Sequence, residues 1–377
     1  MKNSELNPFV IGKYISDEYF CDREKETELL KKQMRNGRNV TIISDRRIGK
    51  SGLISHLFAQ QEIQEHFHTI NVDLYPTNSL AEMVCVFSEE VYRVIQHHSG
   101  TWKDKFFQVI SSLRVGFKLD PITGSPAFEI GIGDIETPSM TLEQVFAFLE
   151  MADKPCIVAF DEFQQISSYE EQNIEALLRT HIQRCKNTQF IFAGGRKHLM
   201  AQMFLSPSKP FYQSTMNMGL EPIELSVYTT FAQHMFEKGN KTIDSTAVEQ
   251  VYGLCRGITW YMQVLLNEMF SLTAEGDTCD TSYMQIALVN ILQLQEPFYR
   301  EMLAALAPRQ KNVLFAIIAE GEARSITSSS FVAKYKLGSA SSVQAALKGL
   351  QEKDTVTKYK DAWIVYDVFL AQYVKSL

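Results

Sequence analysis

The segment Ser44-Asp45-Arg46-Arg47-Ile48-Gly49-Lys50-Ser51 stands between an apolar, β-branched run (Asn39 to Ile43) and a helix-like run that begins at Gly52. It matches GxxxxGK[ST] at every fixed position except the first, where Ser44 replaces glycine. No other feature constrains the fold as strongly. Such a loop requires a buried strand before it and a helix after it, so that successive backbone N–H groups converge on phosphate oxygens. In that setting Lys50 places an ammonium on the β- and γ-phosphates and the Ser51 hydroxyl ligates Mg²⁺. Gly49 lets the backbone approach closely. Ser44, Asp45, Arg46, Arg47, Ile48 and Gly52 complete the candidate cradle, and Ser44 is expected to cost some backbone freedom where the loop starts.

A second motif supports the first. Cys156-Ile157-Val158-Ala159-Phe160 is a continuous apolar run ending in Asp161-Glu162. Downstream of a phosphate-binding loop, Asp161 is placed to hold hydrated Mg²⁺ and Glu162 to act as general base on the attacking water. His68 to Tyr75 and Gln189 to Gly195 read as two more buried strands, and helical patterns alternate with all of these. Among them is a helix over residues 140–152 capped by Ser139 or Thr141. Continuous apolar strands alternating with helices indicate a parallel sheet covered on both faces, here a five-stranded one. A β-hairpin insertion is expected at about 113–133, around the Pro121–Pro126 turn.

The pattern changes after Pro222. Residues 223–296 show helical periodicity alone, and 297–377 read as three short helices followed by a two-strand wing turning near Lys360-Asp361. This is the plan of a winged helix-turn-helix whose third helix spans Ser339–Lys353. The domain reading is therefore 1–222, 223–296 and 297–377.

Composition excludes several classes. Apolar residues are 45% and charged residues 21%, ordinary for a globular chain and unlike a disordered one. No apolar run approaches a membrane span, and the N-terminus has no secretory h-region. The cysteines form no CxxC pair, which favours reduced thiols in the cytoplasm over zinc or disulfides. His66, His68, His97, His98 and His198 lack metal-ligand spacing, and Trp102, Trp260 and Trp363 read as core residues. The net charge of −7 argues against a chain that coats nucleic acid along its whole length. Between Leu306 and Leu377, however, ten Lys and Arg face six Asp and Glu, a local +4. In the third helix Ser339, Ser341, Ser342 and Gln344 could read base edges, while Lys348, Lys358 and Lys360 could meet phosphates. That helix has no arginine, so protein docking stands beside duplex DNA as its use.

Taken together, these segments resemble the archaeal-type ATPase family of the AAA+/STAND group of P-loop ATPases. Asn7-Pro8-Phe9 with Phe20-Cys21-Asp22-Arg23-Glu24-Lys25-Glu26 resembles the family's NPF…FxxRExE segment. Asp45 to Ser51 resembles its xRRxGKT loop, and Phe190 to Met200 its FIFSGSxRHLM strand. Lys209-Pro210-Phe211-Tyr212 and Val365-Tyr366-Asp367 fit as well. The resemblance implies an AAA+-like three-layer core, a helical lid and a winged helix, with ATP and Mg²⁺ between core and lid. It implies an adenine pocket lined by Phe20, Cys21 and Arg23, and a sensor arginine at Arg256. Gly195 falls where the family has a polar serine near the γ-phosphate, and Arg196 beside it is the candidate substitute. Lys209 is a weaker candidate for a cation acting in trans on a neighbouring copy.

The expectation is an ATP-binding, slowly hydrolysing molecular switch that forms nucleotide-dependent homo-oligomers and binds no membrane. Two rivals stand. One is a DNA-binding regulator that uses ATP as a structural ligand. The other is an ATP-dependent protein scaffold in a defence or toxin system.

Overall fold

The computed structural model describes residues 7–12, 14–95, 106, 117–119, 126–128, 135 and 137–377. The chain divides into two compact units, Gly12–Glu224 and Leu225–Leu377 with the N-terminal segment that ends at Ile11.

The first unit runs α1 (Glu24–Arg35), β1 (Val40–Ile43), α2 (Lys50–Ala59), α3 (Gln61–His66), β2 (His68–Asp73) and α4 (Leu80–Ile95). A hairpin follows, β3 (Phe117–Leu119) antiparallel to β4 (Pro126–Phe128), at the expected insertion; the rest of 113–133 lies outside the described residues. Then come α5 (Pro138–Glu150), β5 (Cys156–Asp161), α6 (Ile174–Arg184), β6 (Thr188–Gly194), α7 (Lys197–Leu205) and β7 (Met216–Gly219). The sheet order is β2-β5-β6-β1-β7, and every pairing is parallel.

Alternation along the two central strands sets the layers. Ile157, Ala159, Ile191 and Ala193 face α1 and α2, packing with Leu30, Met34, Leu53, Ile54 and Leu57. Val158, Phe160, Phe190 and Phe192 face the opposite layer, with Phe87, Phe146, Leu178 and Phe204. Phe160 lies nearly parallel to Phe190, with centroids 6.3 Å and planes 3° apart, and meets Phe87 edge-on at 5.2 Å. Both central strands are buried along their whole length, which explains their continuous apolar sequence. Side chains alternate between faces, so Asp161 follows Ile157 and Ala159 onto the α2 face, where the phosphate-loop helix begins.

The expected five-stranded sheet is present, its fifth strand one that no apolar run marks, and two local expectations are corrected. The fifth strand is β7, whose Met-Asn-Met-Gly sequence has three of four residues exposed and so carries no apolar run. Helix α5 is capped at Thr137 with Pro138 at its first position; Thr141 sits inside the helix, its Oγ1 donating to the Thr137 carbonyl at 3.2 Å. Trp260 and Trp363 are half-buried rather than core residues, Trp260 edge-on against Tyr261 and Trp363 on the wing; Trp102 lies outside the described residues.

The second unit contains α8 (Leu225–Lys238), β8 (Thr242–Ile243), α9 (Ser245–Cys255), α10 (Thr259–Leu272), β9 (Thr278–Cys279) and α11 (Thr281–Ala304). The short pair β8–β9 is parallel and interrupts what the sequence reads as helix alone. Helix α11 runs through Pro297, so the position expected as a domain boundary lies within it. Phe9 is fully buried in this unit, against Phe236 at 5.5 Å and Phe270 at 6.1 Å. Asn7 and Asn267 fix that segment by donating to each other's side of it, Asn7 Nδ2 to the Asn267 carbonyl at 2.8 Å and Asn267 Nδ2 to the Phe9 carbonyl at 2.7 Å.

The chain ends in α12 (Pro308–Glu320), α13 (Ser329–Lys334), α14 (Ala340–Glu352), β10 (Val356–Tyr359), β11 (Ala362–Val365) and α15 (Val368–Lys375). Strands β10 and β11 pair antiparallel around Lys360-Asp361, with Lys360 in the left-handed region at φ 52°. Ala323 adds a bridge to Trp363. The last helix, α15, starts where Asp367 Oδ1 accepts from the Phe369 and Leu370 amides. On α14 Ser341, Gln344 and Lys348 are exposed, while Val343, Leu347 and Leu350 are buried.

Truncating a ring in the stacked layer should test its weight. Phe160→Ala is expected to cost about 3–5 kcal/mol in chemical denaturation, whereas Tyr75→Ala, at a residue 68% exposed, should stay within about 0.5 kcal/mol.

Candidate nucleotide site

The loop between β1 and α2 is shaped by two left-handed residues, Arg47 (φ 64°) and Gly49 (φ 103°), and anchored by buried Ile48. Ser44 is also buried, and its φ is not positive, so serine meets no conformational penalty there. The expected cost of replacing glycine is therefore absent. The Ser44 hydroxyl donates to the Asp45 carbonyl at 3.4 Å. Arg47 is exposed, whereas Asp45 and Arg46 are half-buried.

Lys50, the first residue of α2, is only 5% exposed, and its Nζ donates to the Asp45 carbonyl at 2.8 Å. Burial lowers its proton affinity, and Arg46 adds to that effect. Glu162, Asp161 and Asp45 oppose it. Ser51 Oγ donates to Asp161 Oδ2. The strand end thus joins the helix start through the two groups expected to hold a metal. Burial raises the Asp161 pKa and the nearby Glu162 adds to the rise, while the Ser51 hydrogen bond pulls the other way. A hydroxyl and a carboxylate are hard oxygen donors, and this pair fits Mg²⁺.

Glu162 is half-buried in the left-handed region at φ 52°. Its Oε2 accepts from Gln164 Nε2, and its amide donates to Asp161 Oδ1 at 2.9 Å. Gln164 is 3% exposed, and its Oε1 has no hydrogen-bond partner. Its place in the site was not read from the sequence; the signal available was its position three residues past Asp161.

The residues assigned to an adenine pocket divide by role. Arg23 is buried in the left-handed region at φ 80°. Its guanidinium is used on protein groups: Nη1 to Glu26 Oε1 at 2.8 Å, and Nη2 to the Glu221 carbonyl at 2.8 Å and the Ile48 carbonyl at 3.5 Å. It braces the phosphate loop from α1. The Cys21 thiol is buried, its pKa pushed up to about 12 by desolvation, which keeps it neutral. Phe20 stacks on His56 at 4.3 Å and 16°, with Tyr14 edge-on at 5.7 Å. A Cβ on Gly52 would stand 3.4 Å from the Phe20 ring, so the loop helix and this aromatic group are in van der Waals contact.

Other candidates are placed elsewhere. Arg196 is half-buried at the start of α7, just past β6. Lys209 Nζ donates to Glu175 Oε1 at 2.7 Å, an ion pair within its own unit. Arg256 lies in the second unit at φ 55°, its Nη2 donating to the Val365 carbonyl at 2.9 Å. His68 is a buried packing residue bonded to Asp153 at 2.7 Å, while His97 and His98 lie outside the described residues.

A family profile described as "Probable winged helix domain" matches residues 297–376. No curated protein sequence matches the chain. Among solved structures, the Walker-type ATPase PABY2304 of Pyrococcus abyssi superposes with a TM-score of 0.67 at 17% identity, over 98% of this chain and 99% of that one. The Aeropyrum pernix ORC2 protein, in its ADPNP-ADP complexes, gives 0.61 at 14% identity, over 98% and 96%. The fold is AAA+-like. It joins a five-stranded parallel P-loop core to a C-terminal winged helix. No helix among the described residues is long and apolar enough to cross a membrane.

The buried carboxyl gives a signed prediction. A carboxyl whose pKa is raised on folding contributes stability below that value and loses it as pH rises through it. At neutral pH the Asp161 carboxylate is therefore a net cost to the fold without metal. Asp161→Asn is expected to raise the melting temperature of the metal-free protein by about 2–4 °C and to abolish stabilisation by Mg²⁺ with ATP. Differential scanning fluorimetry with and without both ligands checks this.

Proposed function

We propose that the chain binds ATP with Mg²⁺ at the Ser44–Ser51 loop and hydrolyses it slowly as a molecular switch. The observation that carries this reading is the convergence of buried Lys50 and Asp161 with the exposed Ser51 at one end of the sheet, with Glu162 beside them. In this reading Lys50 neutralises the phosphates, and the loop amides hold them in place. Ser51 and Asp161 would hold Mg²⁺, which would supply positive charge to the phosphates. Glu162 accepts a proton from water as the water oxygen bonds the γ-phosphorus, the bond from that phosphorus to the bridging oxygen breaks, and ADP leaves with the electron pair. Phe20 offers a ring face for the adenine, and Cys21 and Arg23 support that wall from behind.

The same proposal divides the chain into an ATPase core over 1–222, a helical lid over 223–296 and a winged helix over 297–377. Arg196 and Arg256 are its further candidate phosphate contacts. The winged helix is the proposed contact to duplex DNA or to a protein partner, through Ser341, Gln344 and Lys348 on α14 and Lys358 and Lys360 on the wing. Nucleotide-dependent self-association and a cytoplasmic setting belong to the same reading.

Slow turnover is expected because Gly195 presents no side chain to orient water, and Lys209 is paired with Glu175. The isolated chain should turn over well below ~1 s⁻¹. Glu162→Gln removes the base and leaves the phosphate and metal ligands. It should cut phosphate release at least ~100-fold while ATP affinity stays within about threefold. Steady-state phosphate release beside a binding titration checks this, and an unchanged rate would overturn the assignment of the base.

A further inference from the structure

We infer that Arg46 contacts the γ-phosphate from within the same chain, and that residue 195 is glycine because the Arg46 side chain fills the space in front of it. The inference rests on the ATP-binding reading above and adds a role that reading leaves open.

The geometry at the end of β6 carries it. A Cβ built on Gly195 would stand 2.3 Å from Arg46 Cγ and 3.2 Å from Arg46 Nε. The same point lies 3.1 Å from Glu162 Oε1. The arginine stem and the proposed base therefore flank one small volume. The clash is with Cγ, close to the Arg46 backbone, and not with a side-chain tip that could swing aside. Gly195 does not have a positive φ, so its backbone does not demand glycine. Space does. Any side chain at 195 and Arg46 in its present place exclude each other.

The two loop arginines are distinct. Arg47 is exposed and left-handed, whereas Arg46 is half-buried and directed to the end of the sheet that carries Asp161 and Glu162. Arg46 and Lys50 belong to the same short loop, four residues apart, so two cations are set at one end of the sheet. A second cation costs free energy in such a place unless an anion offsets it. Glu162 Oε1 flanks the same small volume, and a γ-phosphate would bring further negative charge to it. Guanidinium is planar and pairs two phosphate oxygens at once, so it suits a terminal phosphate whose equatorial oxygens hold the charge during transfer. ADP lacks that group. Arg46 therefore distinguishes ATP from ADP, a discrimination expected in the resembling family of a side chain at 195. It also takes over the role for which Arg196 was the sequence candidate.

A double-mutant cycle on the full chain tests this, with Arg46→Ala, Gly195→Ala and the pair. Each protein is titrated calorimetrically with ADP and with a non-hydrolysable ATP analogue in Mg²⁺, and phosphate release from ATP is measured beside it. Arg46→Ala should lower turnover ~100-fold and analogue affinity ~10-fold, and leave ADP affinity within about threefold. Gly195→Ala should reproduce that pattern by displacing the arginine. The double variant should be no worse than Arg46→Ala alone, because the 2.3 Å clash with Arg46 Cγ is then gone and the remaining neighbour, Glu162 Oε1 at 3.1 Å, has only a few tenths of an ångström to give. The inference is overturned if Arg46→Ala keeps the wild-type preference for the analogue over ADP. It is equally overturned if the two losses multiply in the double variant. Arg46→Ala truncates a half-buried loop residue and decides the matter even if Gly195→Ala does not fold. Wild-type protein that binds neither nucleotide would overturn the ATP-binding reading itself, an outcome distinct from binding without discrimination.

Discussion

Complete burial of β5 and β6 on both faces is the constraint on which the rest of the first unit depends. Two covered faces leave no solvent side for a polar residue along either strand. Apart from buried Thr188 and Gln189 where β6 begins, polarity appears at the C-terminal ends, at Asp161-Glu162 on one strand and at Gly195-Arg196 just beyond the other. The chemistry is therefore gathered at one edge of the sheet. Side-chain alternation then decides which layer it serves: Asp161 continues the Ile157–Ala159 face onto α2. The Ser51–Asp161 hydrogen bond follows from that parity, and shifting the strand by one residue would send the carboxylate into the phenylalanine layer.

The site built on this edge is electrostatically expensive. Lys50 and Asp161 are both buried, and burial shifts each toward its neutral form. The opposite charges around them recover part of that cost. The remainder is of the kind that a polyanion with a divalent cation relieves, since each supplies the charge that the other's partners lack. Strain has collected at the same edge. Arg47 and Glu162 hold left-handed backbone within the site, and Arg23 does so while bracing the loop from α1; Gly49 does so without strain.

Much of this was legible in the sequence, and the residues show why. Apolar runs with polar ends identified β1, β5 and β6, because double burial writes itself as continuous hydrophobicity. The wing and its turn at Lys360-Asp361 were legible from alternation and a polar break. Strand β7 was not, since an edge strand with three exposed residues needs no apolar run. Helix α15 was hidden because its cap, Asp367, reads as part of a strand-ending Val-Tyr-Asp motif. The site's long-range fits were also invisible. Sequence assigns Ser44 a backbone cost that its φ does not incur, and it treats Gly195 as a missing contact rather than as room for Arg46. Phe9 is read with the adenine segment, yet it is the buried partner of Phe236 and Phe270. For Gly195 and Phe9 the deciding neighbour is distant along the chain.

The central claim is that the Ser44–Ser51 loop binds a nucleotide through the buried Lys50 ammonium. Isothermal titration of Mg²⁺ and ATP into the wild-type chain and into Lys50→Ala tests it most directly. The account predicts saturable one-to-one binding to the wild type and an affinity lower by about 10–100-fold in Lys50→Ala, as loss of a charge-assisted phosphate contact requires. Equal affinity in the two proteins, or no binding by a folded wild type, would contradict it.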